Sequence, residues 1–77
     1  MNGEEKRLCE IKVGESCMIR ELLSEGPIRR RLVDLGFAPG CEVECIGISP
    51  LGDPRAYLVC STVIALRRRD SRRIVVE

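Results

Sequence analysis

A short helix with a marked start and stop, in the middle of the chain, restricts the folds that this sequence can adopt. Glycine is acceptable at an N-cap and proline fits the first helical position, so Gly26-Pro27 marks the start. Gly36 can take the left-handed conformation that ends a helix, and Pro39-Gly40 prevents its continuation. The pattern predicts a helix of about nine residues, which is too short to be stable without packing against another element.

The apolar positions of this helix indicate how it packs. Ile28, Leu32 and Leu35 follow the spacing i, i+4 and i+7, and they therefore predict one buried stripe. Leu32 lies at the centre of that stripe, and Phe37 is expected to be buried beside it. The residues predicted to anchor the helix in the fold are Leu32, Gly36 and Gly40.

Short strands flank the helix in the sequence. Apolar and polar residues alternate over 41–46, as in a strand with one buried face, and Gly47 breaks the alternation, which predicts a bulge. Ser61-Thr62 is predicted to be a tight turn, and residues 68–71 a one-turn linker. The predicted strands cover residues 16–22, 41–49, 55–60, 63–67 and 72–76. Five such strands with glycine bends predict a mainly β fold, a small and partly open barrel with one short inserted α-helix.

The length of the chain suits a single domain of 77 residues. Residues 1–7 are polar and charged, so we expect a flexible N-terminus there and a folded domain over residues 8–77. No apolar run approaches the ~18 residues of a membrane span, and no secretory signal follows Met1. These features predict a cytosolic protein.

The residues that usually carry catalysis or bind metals are poorly represented. The chain has no histidine and no Gly-x4-Gly-Lys-Ser/Thr phosphate loop, so we expect no enzyme. The five cysteines are odd in number and scattered, which favours reduced, buried side chains over disulfides. Cys41 and Cys45 would lie about 13 Å apart on a strand. We therefore expect no metal site and no cofactor, with a site shared between two chains as the alternative.

Two further binding classes are disfavoured by composition. The arginines at 29–31 spread around a helix, and those at 67–69 alternate between strand faces, so neither run forms one basic patch. With one Tyr, one Phe and no Trp, the chain lacks the aromatic platform that stacks nucleic-acid bases. The same shortage excludes the aromatic groove that binds proline-rich peptides. We expect no nucleic-acid partner.

Three motifs, in order and at matching distances, resemble one known family. They are Arg-Leu-Val-Asp-Leu-Gly-Phe-Ala-Pro-Gly at 31–40, Ser-Pro-Leu-Gly-Asp-Pro at 49–54 and Ile-Ala-Leu-Arg at 64–67. They resemble the ferrous iron transport protein A (FeoA) family, over about residues 8–76. The resemblance implies an SH3-like barrel with the helix inserted after the first strand. Ser61-Thr62 departs from the family, which often has a glycine there.

The resemblance also implies a function and a partner. It implies a small cytosolic accessory protein that binds and modulates the membrane ferrous iron permease FeoB, which carries a cytosolic G-protein domain. The chain would then be peripheral to the membrane only through this partner. Leu51 lies at the tip of a loop rich in turn formers, where an apolar side chain can anchor an interface. The residues that we expect to contact the partner are Leu51, Tyr57, Arg29, Arg30 and Asp34.

A second function class remains open. Similar barrels form the C-terminal domain of iron-dependent transcriptional repressors, so the chain can also be read as a free-standing relative of that domain. Such a repressor needs a helix-turn-helix domain and dimerisation helices upstream, and only seven residues precede Leu8. We therefore expect the transport function.

Overall fold

Backbone hydrogen bonds join six antiparallel strands into one sheet in residues 5–77, which are the residues that the computed structural model describes. The strands are β1 (Lys6–Arg7), β2 (Ser16–Leu22), β3 (Glu42–Ile48), β4 (Arg55–Val59), β5 (Thr62–Leu66) and β6 (Ile74–Val76). The helices are α1 (Gly26–Leu35) and α2 (Arg68–Ser71), and one 3-10 turn covers Leu8–Glu10. None of the described helices is long and apolar enough to cross a membrane.

The sheet has the strand order β1-β6-β2-β3-β4-β5 and curves around one hydrophobic core. β1 and β5 are its two edges, so the barrel is partly open. The predicted mainly β barrel with a short inserted helix is confirmed, and Lys6–Arg7 adds a sixth strand. The core side chains come from most of the chain, and they include Leu8, Ile11, Ile19, Leu32, Phe37, Val43, Tyr57, Val59 and Ile74.

Two bulges bend the sheet. The register passes from Cys45↔Tyr57 to Gly47↔Ala56, so β3 carries the bulge that its glycine predicted. A second irregularity lies in β2, between Ile19 and Glu21. It brings both Ile19 and Leu22 into the core although they are three residues apart. This is why alternation alone could not decide the inward face of β2.

The first described strand, β1, begins before the predicted domain boundary. Lys6 pairs with Val76 and Arg7 with Val75. The Arg7 guanidinium also donates a 3.0 Å hydrogen bond to the carbonyl of Arg72. Residues 1–4 of the segment predicted to be flexible lie outside the described residues, whereas residues 6 and 7 form a sheet edge because β6 supplies their backbone partners.

The turn between β4 and β5 lies one residue earlier than predicted. Cys60 and Ser61 have φ values of 51° and 61°, so they form a two-residue turn of the type I′ kind. Thr62 is consequently the first residue of β5 and pairs with Val59. The predicted turn at Ser61-Thr62 was wrong by one residue, because the two left-handed residues that the hairpin twist favours are Cys60 and Ser61.

Helix α1 ends where the sequence predicted, in a Schellman motif. Gly36 has a φ of 109° and donates to the Val33 carbonyl at 3.0 Å. Phe37 donates to the Leu32 carbonyl at 2.9 Å. Leu32 and Phe37 occupy the two positions that usually make the apolar contact of this motif, and both are buried in the core. Gly40 has a φ of 91° and donates to the Ile19 carbonyl, which joins the chain after the helix to β2.

The predicted buried stripe of α1 was wrong for two of its three residues. Leu32 is 3% exposed, but Ile28 is 53% and Leu35 36% exposed. The three side chains span about 60° of the helix circumference, as their spacing indicated. The helix nevertheless contributes only Leu32 to the core, and the next buried apolar side chain is Phe37, directly after the helix end.

Candidate partner-binding surface

The loop between β3 and β4 presents an apolar side chain at its tip. Gly52 donates to the Ser49 carbonyl at 2.8 Å, and Ser49 donates to the Pro54 carbonyl at 3.2 Å. These two bonds close a compact turn around Leu51, which is 94% exposed. Leu51 packs neither on the core nor on Tyr57, so it is available to a partner.

Asp53 fixes this loop to the rest of the fold. Its Oδ1 accepts a 2.8 Å hydrogen bond from the backbone N–H of Arg68, at the start of α2. Its Oδ2 lies 3.9 Å from the guanidinium of Arg67. Sequence reasoning missed this role, since Asp53 caps a helix fifteen residues later in the chain, and no local pattern signals such a contact.

The outer side of α1 is polar and basic. Arg29, Arg30 and Asp34 are all exposed, as their helical positions indicated. None of them takes part in an ion pair within residues 5–77. Val33, which is 38% exposed, lies between Arg29 and Arg30 around the helix, so this side offers cations beside an apolar group, a composition that suits a protein partner.

The structure does not join the loop and the helix into one surface. The loop precedes Arg55, at the start of β4, whereas Gly36 at the end of α1 lies against Val59 and Cys60, at the other end of that strand. The four residue steps of β4 span about 13 Å. No hydrogen bond or ion pair between described residues links the loop to the helix. The loop and the outer side of α1 are therefore two separate surfaces.

Tyr57 is not a surface residue. It is 0% exposed, and its ring meets Phe37 edge to face, with centroids 6.4 Å apart at an interplanar angle of 88°. Burial raises the pKa of its phenol. Its hydroxyl has no hydrogen-bond partner among the described residues. The expectation that Tyr57 contacts a partner is corrected, because the alternation of β4 turns this residue inward.

The cysteines are free, and their environments differ. Cys17 and Cys45 are buried, Cys9 and Cys41 are half-buried, and Cys60 is exposed. The expectation of buried thiols is therefore wrong for Cys60, which the β4–β5 turn holds at the surface. Within residues 5–77, no three Cys, Asp or Glu side chains are placed to hold a metal ion.

The thiol environments predict an order of modification. Burial raises the pKa of the Cys17 thiol to about 11, so little thiolate forms there at pH 8. We expect a maleimide to label Cys60 first and Cys17 and Cys45 last in the folded protein, as measured by mass spectrometry of timed digests. Unfolding in urea should remove the difference. Labelling of Cys17 before Cys60 in the folded protein would contradict the described packing.

Solved structures share this fold over nearly the whole chain. Iron(II) transport protein A from Clostridium thermocellum is 35% identical, with a TM-score of 0.90, and the match covers 94% of this chain and 44% of that one. FeoA from Stenotrophomonas maltophilia, described as an SH3 domain protein and solved with zinc, is 33% identical, with a TM-score of 0.78 and coverage of 94% and 89%. The predicted SH3-like barrel is confirmed.

A more distant likeness concerns regulators. A manganese-dependent transcriptional repressor matches 99% of this chain and 42% of its own with a TM-score of 0.84, at 12% identity. At that identity the likeness shows the fold alone.

The sequence comparisons give the family. A fusion of Fe(2+) transport protein A with the Fe(2+) transporter FeoB, from Porphyromonas gingivalis, is 32% identical over 71 residues. The match covers 92% of this chain and 8% of the fusion protein, so the chain spans a small part of that relative. The family model described as "FeoA domain" matches residues 6–77. The resemblance found in the sequence motifs is thereby confirmed, and the chain belongs to the FeoA family.

Proposed function

We propose that this chain is a cytoplasmic accessory protein of ferrous iron transport, which binds the cytosolic side of a ferrous iron permease and modulates it. The observation that carries the proposal is the fusion protein of Porphyromonas gingivalis, whose name joins Fe(2+) transport protein A to the transporter FeoB in one polypeptide. Covalent linkage holds two modules at a high effective concentration, which favours even weak contacts between them.

The loop at 49–54 is the proposed anchor of this contact. Leu51 exposes 94% of its surface on a turn that two backbone hydrogen bonds and Asp53 hold in place. Burying a leucine side chain stabilises a complex by about 1.5–3 kcal/mol. Because the loop is already closed in the free protein, little ordering cost opposes that gain.

The basic side of α1 is proposed to guide association. Arg29 and Arg30 are exposed and unpaired within the described residues, with Asp34 as their charged neighbour. Exposed charges of this kind mainly change the rate of encounter with a partner of opposite potential. The partner surface facing α1 should accordingly be acidic.

The anchor is tested by Leu51→Asp in a binding measurement with the full-length permease in nanodiscs. We expect the variant to fold normally, since Leu51 contacts no core residue, and to bind at least about tenfold more weakly, the equivalent of 1.4 kcal/mol. Val13→Asp is the matched control, because Val13 is another exposed aliphatic residue, at 53% exposure, on a different loop. Normal affinity of a well-folded Leu51→Asp protein would eliminate the loop as the anchor.

The guiding role is tested by Arg29→Glu with Arg30→Glu. We expect the association rate to fall severalfold at low salt, and the loss to shrink as ionic strength rises, while dissociation changes little. Arg72→Glu with Arg73→Glu is the control, since it reverses two exposed charges elsewhere on the surface. An equal effect of both double variants would mean that net charge, not the helix, controls the rate.

We propose neither catalysis nor a nucleic-acid partner for this chain. The chain contains no histidine, and its formal net charge is +1. The alternative, a free-standing relative of a repressor domain, is supported by the likeness in fold alone. The family-model match and the fused relative favour transport, so a gene for a large membrane GTPase is expected beside the gene for this chain.

A further inference from the structure

The two edges of the sheet differ in how they are protected against pairing with another strand. β1 has two residues, Lys6 and Arg7, both charged. β5 has five residues, Thr62–Leu66, with neither a charge nor a proline. Natural edge strands usually carry charge, proline or a bulge that discourages pairing, and β5 carries none of these. β4 is the only strand paired with β5 within residues 5–77.

The turn geometry decides which backbone groups of β5 point outward. In a hairpin with a two-residue turn, the residues that flank the turn exchange both hydrogen bonds, and the exchange recurs at every second pair. The bonded pairs are therefore Val59↔Thr62, Tyr57↔Ile64 and Arg55↔Leu66. The N–H and C=O groups of Val63 and Ala65 then face away from β4, and no backbone bond of the described residues satisfies them.

The side chains beside these free groups are apolar and exposed. Val63 is 61% exposed and lies opposite Leu58, which is 36% exposed. Ala65 is exposed opposite the half-buried Ala56. Val63, Leu58, Ala65 and Ala56 form an apolar strip on the outer face of the sheet. The residues of an added strand that lie opposite Val63 and Ala65 would place their side chains on this face and extend the strip.

Charge at one end of the edge selects the kind of occupant. Arg67, Arg68 and Arg69 follow β5 directly and are exposed. They do not alternate along a strand as predicted, because α2 begins at Arg68. Among the described residues they form one ion pair, the 3.9 Å contact of Arg67 with Asp53. A second copy of β5 in antiparallel pairing would bring Ser61 and Thr62 beside these arginines, without a carboxylate. An acidic segment would complement them.

We propose that the β5 edge binds an extended acidic peptide segment of a protein partner by antiparallel strand addition. Apolar residues at alternate positions lie opposite Val63 and Ala65, and carboxylates at the N-terminal end of the segment meet Arg67–Arg69. Backbone bonds to the two free residues supply affinity, and the apolar strip and the arginines supply selectivity. The arginine end of this site adjoins the 49–54 loop, because Asp53 contacts both Arg67 and the backbone of Arg68. The inference does not depend on the proposed transport function.

The probe is the synthetic peptide acetyl-Glu-Glu-Val-Thr-Val-Thr-amide, titrated into the ¹⁵N-labelled full chain with amide exchange followed by NMR. We expect slower exchange at Val63 and Ala65 and little change at Ile64, whose amide already bonds to β4. A peptide with lysines in place of the glutamates should bind at least about fivefold more weakly. Protection elsewhere, or none at all, would overturn the proposal.

Two variants sharpen the test. Ala65→Pro removes one outward N–H, a change that an edge strand tolerates, and should weaken binding about threefold to tenfold, whereas Ala65→Val should not. Arg68→Glu with Arg69→Glu should remove the preference for the acidic peptide over the lysine peptide. If the proline variant fails to fold, this double variant still tests the proposed site. Two other results would refute strand addition by an acidic segment. One is protection of the Val63 amide from exchange that rises with protein concentration alone, which indicates pairing with a second copy of the chain. The other is binding of oligothymidylate at Arg67–Arg69 without protection of the β5 amides.

Discussion

Leu32→Ala is expected to destabilise the protein by about 2–5 kcal/mol, the range for removing a buried leucine side chain. Leu32 is 3% exposed and is the one residue of α1 that is buried. A domain of this size has a total stability of about 4–12 kcal/mol, so the change removes a large part of it. Urea unfolding followed by circular dichroism measures the loss. Detachment of α1 should also abolish binding to the permease.

Other leucines of the chain provide controls for this substitution. Leu51→Ala makes the same chemical change at a side chain that is 94% exposed, and it should cost less than about 0.5 kcal/mol. Leu35→Ala, at 36% exposure, should fall between the two. If Leu32→Ala unfolds at the same urea concentration as Leu51→Ala, α1 is not anchored through the core as described.

Gly36→Ala is expected to destabilise the protein by about 1–3 kcal/mol, for two reasons that can be separated. A φ of 109° is unfavourable for any residue with a side chain, and an added Cβ would lie 3.1 Å from the Sγ of Cys60. The steric contact should be partly relieved in the double variant with Cys60→Ala. Thermal unfolding of the single and double variants measures this coupling.

Gly52→Ala is the control for backbone strain alone. Gly52 has a φ of 89°, and nothing lies within 4 Å of a Cβ built there. Its substitution should therefore cost less than that of Gly36, with no dependence on Cys60. Two results together would contradict the described contact between the end of α1 and the β4–β5 turn. One is an equal loss of unfolding free energy for the two glycine substitutions, and the other is additivity of Gly36→Ala with Cys60→Ala.

The features that local chemistry determines could be predicted from the sequence. The end of α1 rests on the left-handed conformation of Gly36, which few residues other than glycine adopt, and it lies where the pattern indicated. The bulge beside Gly47 also lies where the break in alternation indicated. The exposure of Ile28 and Leu35 could not be predicted in the same way. Their spacing defines a stripe on the helix, but how much of it is covered depends on how the barrel meets the helix, which is a property of the whole fold.

In the candidate site, too, features set by neighbouring residues could be predicted from the sequence, and features set by distant contacts could not. The exposure of Leu51 follows from the turn residues around it, so the sequence indicated it. The inward orientation of Tyr57 depends on the strand register, and the cap that Asp53 gives to α2 depends on a contact between distant segments. The free edge of β5 was not apparent from its apolar sequence either, because only the order of strands in the sheet shows which strand lacks a second neighbour.

The central claim, that this FeoA-family chain binds a ferrous iron permease, is tested most directly by titrating the wild-type protein onto the full-length permease of the same organism in nanodiscs. Biolayer interferometry with the permease immobilised gives both rate constants, and nanodiscs without permease provide the blank. We predict saturable binding with a stoichiometry of one chain per permease and with an association rate that falls as salt increases. Absence of saturable binding up to about 100 μM, the range of weak but specific contacts, would contradict the claim.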